Sequence, residues 1–218
     1  EQRLALARER FFGAGERPTG LLPEPVLASW SRCLGAGRDP ATWPGMVELS
    51  VLRLDSARRQ ARALCLAAQG PLRELAGALQ ASPVAIGLTD ARGIVLQTAG
   101  AVAASPGLPG VPGLRAGADW SEAAQGTNAV ALALAQGSAL QVRRGEHFYE
   151  AWVDCHDAAA PVLDVRGQVV GTVLLMTQAP AFGFDPVAVV SQYASAIENQ
   201  LLRQQADVDG LLEFQTSP

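Results

Sequence analysis

The spacing of apolar residues changes along the chain from a helical period to a period of two, and then back. Apolar residues three and four positions apart indicate amphipathic helices towards both ends. Ser50 suits the N-cap of a long early helix, and Gly70-Pro71 predicts a kink or split within that helix. The helices predicted in this way cover residues 1–12, 24–36, 50–81, 127–136 and 185–205.

Short apolar or alternating runs in the middle of the chain predict strands that are separated by Gly- and Asp-containing turns. Residues 101–117 are rich in Gly and Pro and predict an irregular loop. The order of elements predicts an α+β fold, with helices on one face of an antiparallel sheet and irregular connections on the other. The long helices near both ends could pair with those of a second chain in a dimeric bundle. The predicted strands cover residues 83–89, 94–97, 139–142, 159–163 and 169–176.

Composition narrows the class of protein. The chain has 218 residues, of which 49% are hydrophobic and 17% charged, so it can bury the core of one compact domain. The net charge is −4 and there is no dense basic patch, which argues against direct contact with nucleic acid. No apolar run approaches the roughly 20 residues that span a bilayer, and the first residues do not read as a signal peptide. The three cysteines lie far apart, which argues against a disulfide framework and favours a reducing cytoplasm.

The residues best suited to binding lie between Asp119 and Gly171, each beside a predicted helix start or strand edge. This arrangement suits a small pocket better than an exposed surface. The motifs in this segment are Trp120-Ser121-Glu122, Gly126-Thr127-Asn128-Ala129, Gly145-Glu146-His147-Phe148 and Ala159-Ala160-Pro161.

Each of these polar residues has a structural interpretation beside the functional one. Asn128 stands at a helix start, where it can bind a carbonyl or hydroxyl ligand or simply cap the helix. His147 can donate to a ligand oxygen while Glu146 fixes its tautomer, or it can bond the backbone of its own loop. Trp120 is a core or lid residue in one interpretation and a stacking platform in the other. Glu122 is expected to pair with one of the arginines in Arg143-Arg144.

An upstream pair of motifs completes a pattern that extends over residues 24–203. It consists of Ser29-Trp30-Ser31-Arg32-Cys33 and Gly37-Arg38-Asp39-Pro40. Together with the motifs above, it resembles the GAF-type N-terminal sensor domain of sigma-54-dependent transcriptional activators of the acetoin and dihydroxyacetone regulator type.

The resemblance implies a division of the chain and further domains beyond it. An N-terminal helical extension would cover residues 1–49, a GAF-like sensor domain with its long flanking helices residues 50–205, and a linker residues 206–218. An ATPase domain and a DNA-binding helix-turn-helix would follow in the full-length protein. This sequence contains no Gly-x-x-x-x-Gly-Lys phosphate loop.

The sequence departs from the family pattern at two places. Cys155-His156-Asp157 replaces a Trp-Thr-Cys stretch, so that Asp157 stands where the family often has Cys. Ala131 replaces a Gly. We expect the first departure to decide what one wall of the pocket recognises.

The sequence therefore predicts a cytoplasmic signal-sensing domain rather than an enzyme, with no cofactor and no metal. Its effector would be a small polar metabolite such as a short alcohol, diol, ketone or aldehyde, bound between the sheet and the loops 101–126 and 145–157. The expected partners are that effector and a second copy of the chain. The predicted ligand-binding residues are Trp120, Asn128, His147, Phe148, Asp157 and Val162, with Phe148 and Val162 providing apolar walls.

Three other interpretations were weighed against this one. A protein-interaction module with a vestigial pocket is the main alternative. A thiol-dependent redox enzyme would need a reactive cysteine in the pocket, whereas Cys33 and Cys65 fall on helices predicted outside it. A metal site would use His147 with Cys155-His156-Asp157, but this spacing matches no closed zinc pattern.

Overall fold

A computed structural model describes residues 2–100, 114–178 and 181–209 of the chain. The part of the predicted loop 101–117 that precedes Leu114 lies outside the described residues. The helices are α1 (Gln2–Arg8), continued by a π-helical segment (Glu9–Gly13), α2 (Glu24–Gly35), α3 (Val51–Gln60), α4 (Arg62–Ala78), α5 (Glu122–Gln125), α6 (Ala129–Gln136) and α7 (Pro186–Asp209). Two 3-10 turns cover Arg144–Glu146 and Glu150–Trp152.

Five strands form one antiparallel sheet. They are β1 (Ala85–Asp90), β2 (Val95–Ala99), β3 (Leu140–Arg143), β4 (His156–Leu163) and β5 (Val169–Thr177). The strand order is β2-β1-β5-β4-β3, so the central strand β5 lies between the hairpin β1-β2 and the pair β4-β3. Ala85 pairs with Met176 in β5, and Asp157 in β4 pairs with the same residue from the other side.

Side chains alternate between two buried layers, because successive residues of a strand point to opposite faces of the sheet. On one face, helices α4 and α7 cover a core that includes Ile86, Val162 and Leu175. On the other face, a second core includes Ala159 and Leu174. The predicted α+β fold with a GAF-like antiparallel sheet is therefore confirmed, although helices cover both faces of it.

The N-terminal helices are part of the second core and do not form a separate layer. Phe11 of the π-helical segment and Trp30 of α2 are buried there with Phe148. Phe12 connects these rings into a continuous aromatic cluster, since its ring centroid lies 4.6 Å from that of Trp30 and 5.6 Å from that of Phe148. Aromatic pairs at such distances stabilise a core beyond their buried area. The docking of the N-terminal segment thus depends on the loop that carries His147.

The long early helix breaks at a different place from the one predicted. The interruption falls at Ala61, and α4 runs through Pro71. Pro71 and the neighbouring Leu72 and Leu75 are buried against the sheet, so packing of this apolar face outweighs the local cost of proline. None of the helices described is long and apolar enough to cross a membrane.

Candidate functional site

A compact turn connects Trp120 to helix α6. The Ser121 side chain accepts from the backbone N–H of Ala124 and caps α5. The short helix ends at Gly126, whose backbone angles (φ 66°, ψ −153°) are accessible almost only to glycine. A Cβ at this position would lie 2.8 Å from the Cβ of Phe148. Gly126 therefore allows the turn to approach the loop that carries His147.

Asn128 caps α6, as its structural interpretation predicts. Its Oδ1 accepts from the N–H of Ala131 at 2.9 Å. Its Nδ2 donates to the carbonyls of Trp120 and Gly126 at 3.1 and 2.9 Å. Both amide protons are thus engaged, so Asn128 fixes the shape of the turn. Its predicted contact with a ligand stays a prediction.

His147 follows the 3-10 turn after β3. Its Nδ1 lies 2.8 Å from the carbonyl oxygen of Arg144, and the backbone N–H of His147 also donates to that oxygen at 3.0 Å. Arg144 has a positive φ of 51°, an uncommon conformation for a residue with a side chain. Of the two interpretations of His147, the structure shows the one in which it bonds the backbone of its own loop, and Glu146 does not fix its tautomer. Instead the Arg144 carbonyl does so, while Glu146 accepts from the N–H of Arg143 at 2.7 Å.

Asp157 meets His147 inside the core. It lies at the second position of β4, not in the loop predicted to end at this residue (145–157). One carboxylate oxygen accepts from the N–H of Ala129 at the start of α6, at 3.0 Å. The other, Oδ1, lies 3.1 Å from Nε2 of His147. This close contact lacks hydrogen-bond geometry, so neither atom is satisfied by the other.

Electrostatics favours the charged form of His147. Burial by itself lowers the pKa of this imidazole, but the carboxylates of Asp157 and Glu146 and the Arg144 carbonyl outweigh burial, so its pKa is raised. The opposite holds for His156, whose pKa is lowered by burial and by Arg144.

Four buried side-chain atoms have no hydrogen-bond partner within the described ranges. They are Nε1 of Trp120, Nε1 of Trp152, Nε2 of His147 and Oδ1 of Asp157. Buried polar groups are satisfied in the great majority of cases, and each exception calls for an explanation. The two indole rings are neighbours, with centroids 5.3 Å apart. The side chains of Trp120, Trp152, His147 and Asp157 lie on one face of the sheet and are here called the His147–Asp157 cluster. Because their unpartnered polar atoms are concentrated there, this cluster is the candidate site.

The structure brings five of the six predicted site residues to the same side of the sheet and separates the sixth. Trp120 and Phe148 belong to the core on that side, which Asn128 joins through the Trp120 carbonyl. Val162 lies five residues beyond Asp157 in β4 and packs in the opposite core against α4 and α7. Val162 therefore does not face the cluster, and its predicted role as an apolar wall of a ligand pocket stays a prediction.

The N-terminal helices hold the loop at residues 145–148 through its carbonyl groups. The Arg8 guanidinium donates to the carbonyls of Gly145, His147 and Phe148 at 2.8–3.4 Å. The Trp30 indole donates to the carbonyl of Glu146 at 2.8 Å. Four consecutive carbonyls are thus bonded from the N-terminal segment. Nothing in the local sequence around Arg8 indicates this role, whereas Trp30 lies in one of the motifs described above.

Glu122 has a different partner from the expected Arg143 or Arg144. Arg32 of α2 donates to both of its carboxylate oxygens at 2.7 and 2.8 Å, and Ser29 donates at 2.6 Å. Burial acts to raise the pKa of Glu122, but these bonds outweigh it and lower the pKa. Glu122 thus attaches α2 to the turn before α6.

The cysteines lack the environment of a reactive thiol. All three are free and buried. Burial raises the pKa of Cys155 to about 12, and burial also raises the pKa of Cys33 and Cys65. Thiolates are the reactive form, so these residues are poor nucleophiles. Among the residues that the structure describes, no three His, Cys, Asp or Glu side chains are placed to hold a metal ion together.

Two of the clefts formed by described residues lie elsewhere on the surface. The larger, about 580 Å³, lies between α4, α7 and the two hairpin turns, and includes Leu64, Arg92 and Gln204. The smaller, about 390 Å³, includes Arg3, Arg143 and Glu146. Their lining does not include the residues of the His147–Asp157 cluster, whose side chains are at most 1% exposed. Part of the predicted pocket wall, residues 101–113, lies outside the described residues.

The sheet order and the flanking helices define a GAF-like α+β domain. The E. coli DhaR(N)-DhaL complex contains a chain of the same fold, with a TM-score of 0.77 and 20% identity over 86% of this chain and 64% of that one. The chain belongs to the family described as MimR, N-terminal domain, which it matches over residues 2–199.

Relatives of this chain are regulators of catabolic operons. The acetoin catabolism regulatory protein of Cupriavidus necator is 29% identical over 97% of this chain and 34% of its own length. The acetoin dehydrogenase operon transcriptional activator AcoR of Bacillus subtilis is 27% identical over 88% of this chain and 32% of its own length. The propane 2-monooxygenase operon transcriptional activator MimR of Mycolicibacterium goodii is 29% identical over 77% of this chain and 28% of its own length. The chain thus spans about a third of the length of these curated relatives.

Proposed function

We propose that this chain is the signal-sensing domain of a bacterial transcriptional activator and that it binds a small polar metabolite at the His147–Asp157 cluster. Two relatives are named for acetoin catabolism or the acetoin dehydrogenase operon, and a third for the propane 2-monooxygenase operon, which supports a short-chain compound such as an oxygenated metabolite as the effector. In the full-length protein the domain would control a downstream ATPase and DNA-binding domain, most simply as a homodimer in the cytoplasm.

The observation that carries the proposal is the group of unpartnered buried atoms. Leaving a buried polar group unsatisfied costs about 1–3 kcal/mol, and more for a charged group. A polar ligand that bonds Nε2 of His147 and Oδ1 of Asp157 would remove part of this cost. The remaining surroundings are apolar and aromatic, as is usual in small-molecule sites.

The signal would leave the cluster through helices at both ends of the domain. The loop that carries His147 is bonded to Arg8 and Trp30. Strand β4, which carries Asp157, is bonded to α7 where Glu198 accepts from the N–H of Leu163 at 2.8 Å. A ligand shifts such helices only if it binds one arrangement more tightly than the other.

A thermal-shift titration with short alcohols, diols, ketones and aldehydes tests the proposal. We expect a saturable rise in Tm with at least one compound, because a ligand that binds only the folded state stabilises it. His147→Ala should abolish the rise when each variant is compared with its own ligand-free Tm. His156→Ala is the matched control, since it removes the other histidine of the chain. A rise that survives His147→Ala would place the binding site elsewhere.

A protein-binding regulatory module is the second candidate. Val51 and Leu52 in the first turn of α3 are 74% and 81% exposed, and Leu66 of α4 is also exposed. The structural neighbour DhaR(N) is itself described in a complex with a protein, DhaL. No rise in Tm with any compound of the panel would overturn the sensing proposal and favour this second function.

A further inference from the structure

The hydrogen bond to the Arg144 carbonyl fixes where the first proton of His147 lies. A carbonyl oxygen can only accept, so Nδ1 at 2.8 Å must carry a hydrogen. In the neutral imidazole, Nε2 would then be an acceptor. It would lie 3.1 Å from the acceptor oxygen Oδ1 of Asp157, and two atoms that can only accept would be neighbours in a fully buried site.

A second proton removes this conflict. With hydrogen on both nitrogens, the His147 imidazolium lies against the Asp157 carboxylate, and opposite charges meet in place of two acceptors. Glu146 contributes a further negative charge close to the ring, which also favours the imidazolium. The cluster therefore presents one N–H donor at Nε2 and one acceptor at Oδ1, side by side.

Both of these groups still have bonding capacity. The second oxygen of Asp157 is already used by the Ala129 N–H, and Nδ1 of His147 by Arg144. Nε2 and Oδ1 do not form a hydrogen bond with each other despite their separation of 3.1 Å. A ligand atom that both accepts and donates satisfies the pair, whereas an atom that only accepts leaves Oδ1 unsatisfied.

We infer, on the basis of the proposed sensing function, that the effector binds through a hydroxyl group that accepts from His147 Nε2 and donates to Asp157 Oδ1. A ketone or aldehyde oxygen cannot donate, so it is the poorer ligand for this position. A second oxygen on the effector is compatible with the indole N–H groups of Trp120 and Trp152, which can only donate.

The test compares butan-2-ol with butan-2-one, which share one carbon skeleton. The oxygen of the alcohol carries a hydrogen that it can donate, whereas the oxygen of the ketone carries none. Dissociation constants are measured by thermal-shift titration and by ligand-detected NMR, with butane-2,3-diol as a further hydroxyl compound. We expect the alcohol to bind at least about tenfold more tightly than the ketone, because a site built to bond a hydroxyl rejects the analogue that lacks it.

Asp157→Asn then changes the chemistry of one atom. The amide oxygen is expected to keep the bond to the Ala129 N–H, so the NH₂ group replaces Oδ1 beside His147. The preference for the alcohol should fall to about one or reverse, since the position now donates. Asp164→Asn is the matched control, because this carboxylate accepts from Arg166 and Gln168 in the turn after β4 and does not touch the cluster.

The possible outcomes separate the hydroxyl rule from the sensing function. Equal or tighter binding of the ketone, lost in His147→Ala, would overturn the hydroxyl rule and leave sensing in place. Failure of all three compounds while a ketone or aldehyde of the panel binds would do the same. Failure of every compound would overturn both proposals. If Asp157→Asn does not fold, the comparison of alcohol and ketone in the unmodified chain still decides the matter.

Discussion

Gly126 is the position at which a single methyl group should do the most damage to the candidate site. Its φ of 66° and ψ of −153° fall where residues with a side chain are strained by about 1–3 kcal/mol. The added Cβ would also lie 2.8 Å from the Cβ of Phe148 and 3.2 Å from Cδ1. Phe148 cannot easily move, because Phe12 and Tyr149 pack edge-on against its ring.

Gly137 provides a matched control for this substitution. It has the same φ of 66° with a ψ of 22°, and a Cβ there would meet nothing within 4 Å. An L-residue in this left-handed conformation costs about 1–2 kcal/mol. Overpacking adds about 1–3 kcal/mol at Gly126 alone. Gly126→Ala should therefore lower the free energy of unfolding by about 2–6 kcal/mol in total, well beyond the effect of Gly137→Ala.

Urea denaturation of the two variants and the unmodified chain measures this difference. For a chain of this size, a loss of about 4 kcal/mol corresponds to a fall in Tm of about 8–16 °C. Equal effects of the two substitutions, within about 0.5 kcal/mol, would refute the reasoning. Such a result would mean that neither the ψ of Gly126 nor its contact with Phe148 adds to the cost that both glycines share.

Four further predictions concern the histidines, the thiols and the segment that holds the cluster. The pKa values of the two histidines, measured by NMR titration, should lie on opposite sides of the ordinary value of 6.5, with that of His147 raised and that of His156 lowered. His156→Gln assigns the signals, and the reverse order of the two pKa values would contradict the charge arrangement. Because the folded-state pKa of His147 is raised, its contribution to stability is full below about pH 6.5 and is lost as the pH rises through the folded pKa, so the stability advantage over His147→Gln should shrink in alkali. A disulfide reagent at about pH 8 should label the cysteines negligibly until urea is added, because Cys155 has a pKa of about 12 and all three thiols are buried. Fast labelling of the folded chain would favour the thiol-dependent redox interpretation. Arg8→Ala should lower the free energy of unfolding, measured by urea denaturation, by about 2–3 kcal/mol, because carbonyls of the 145–148 loop lose a charged donor. The control Arg10→Ala, at an exposed position, should change it by no more than about 0.5 kcal/mol. Equal losses in the two variants would show that Arg8 does not hold the loop.

The periodic elements could be predicted from sequence because one apolar face of each is buried. The helical cap at Asn128 also follows from local rules, since the side chain of a cap bonds an N–H only a few residues away. The partner of Glu122 could not be predicted in this way, because Arg32 is 90 residues distant and the docking of α2 brings the two together. The break at Ala61 likewise reflects tertiary packing that local preferences do not contain.

The misplacement of Val162 has a simpler cause. A strand that begins at Ala159 leaves Asp157 in a loop, where its direction is undefined. Once β4 is extended to His156, Asp157 and Val162 differ by an odd number of positions and must face opposite sides of the sheet. The period of two was therefore present in the sequence, and only the start of the strand concealed it.

The departure from the family pattern at Asp157 creates the chemical asymmetry of the site. A thiol at this position would have offered His147 a weak partner without a fixed charge, whereas the carboxylate raises the pKa of the imidazole and favours its charged form. Because Arg8 and Trp30 bond the loop of His147 and α7 packs on the strand of Asp157, a ligand between the two residues joins segments held by opposite ends of the domain. We therefore expect effector binding to depend on the N-terminal segment even though no residue of that segment belongs to the cluster, because any displacement of His147 must also strain those bonds.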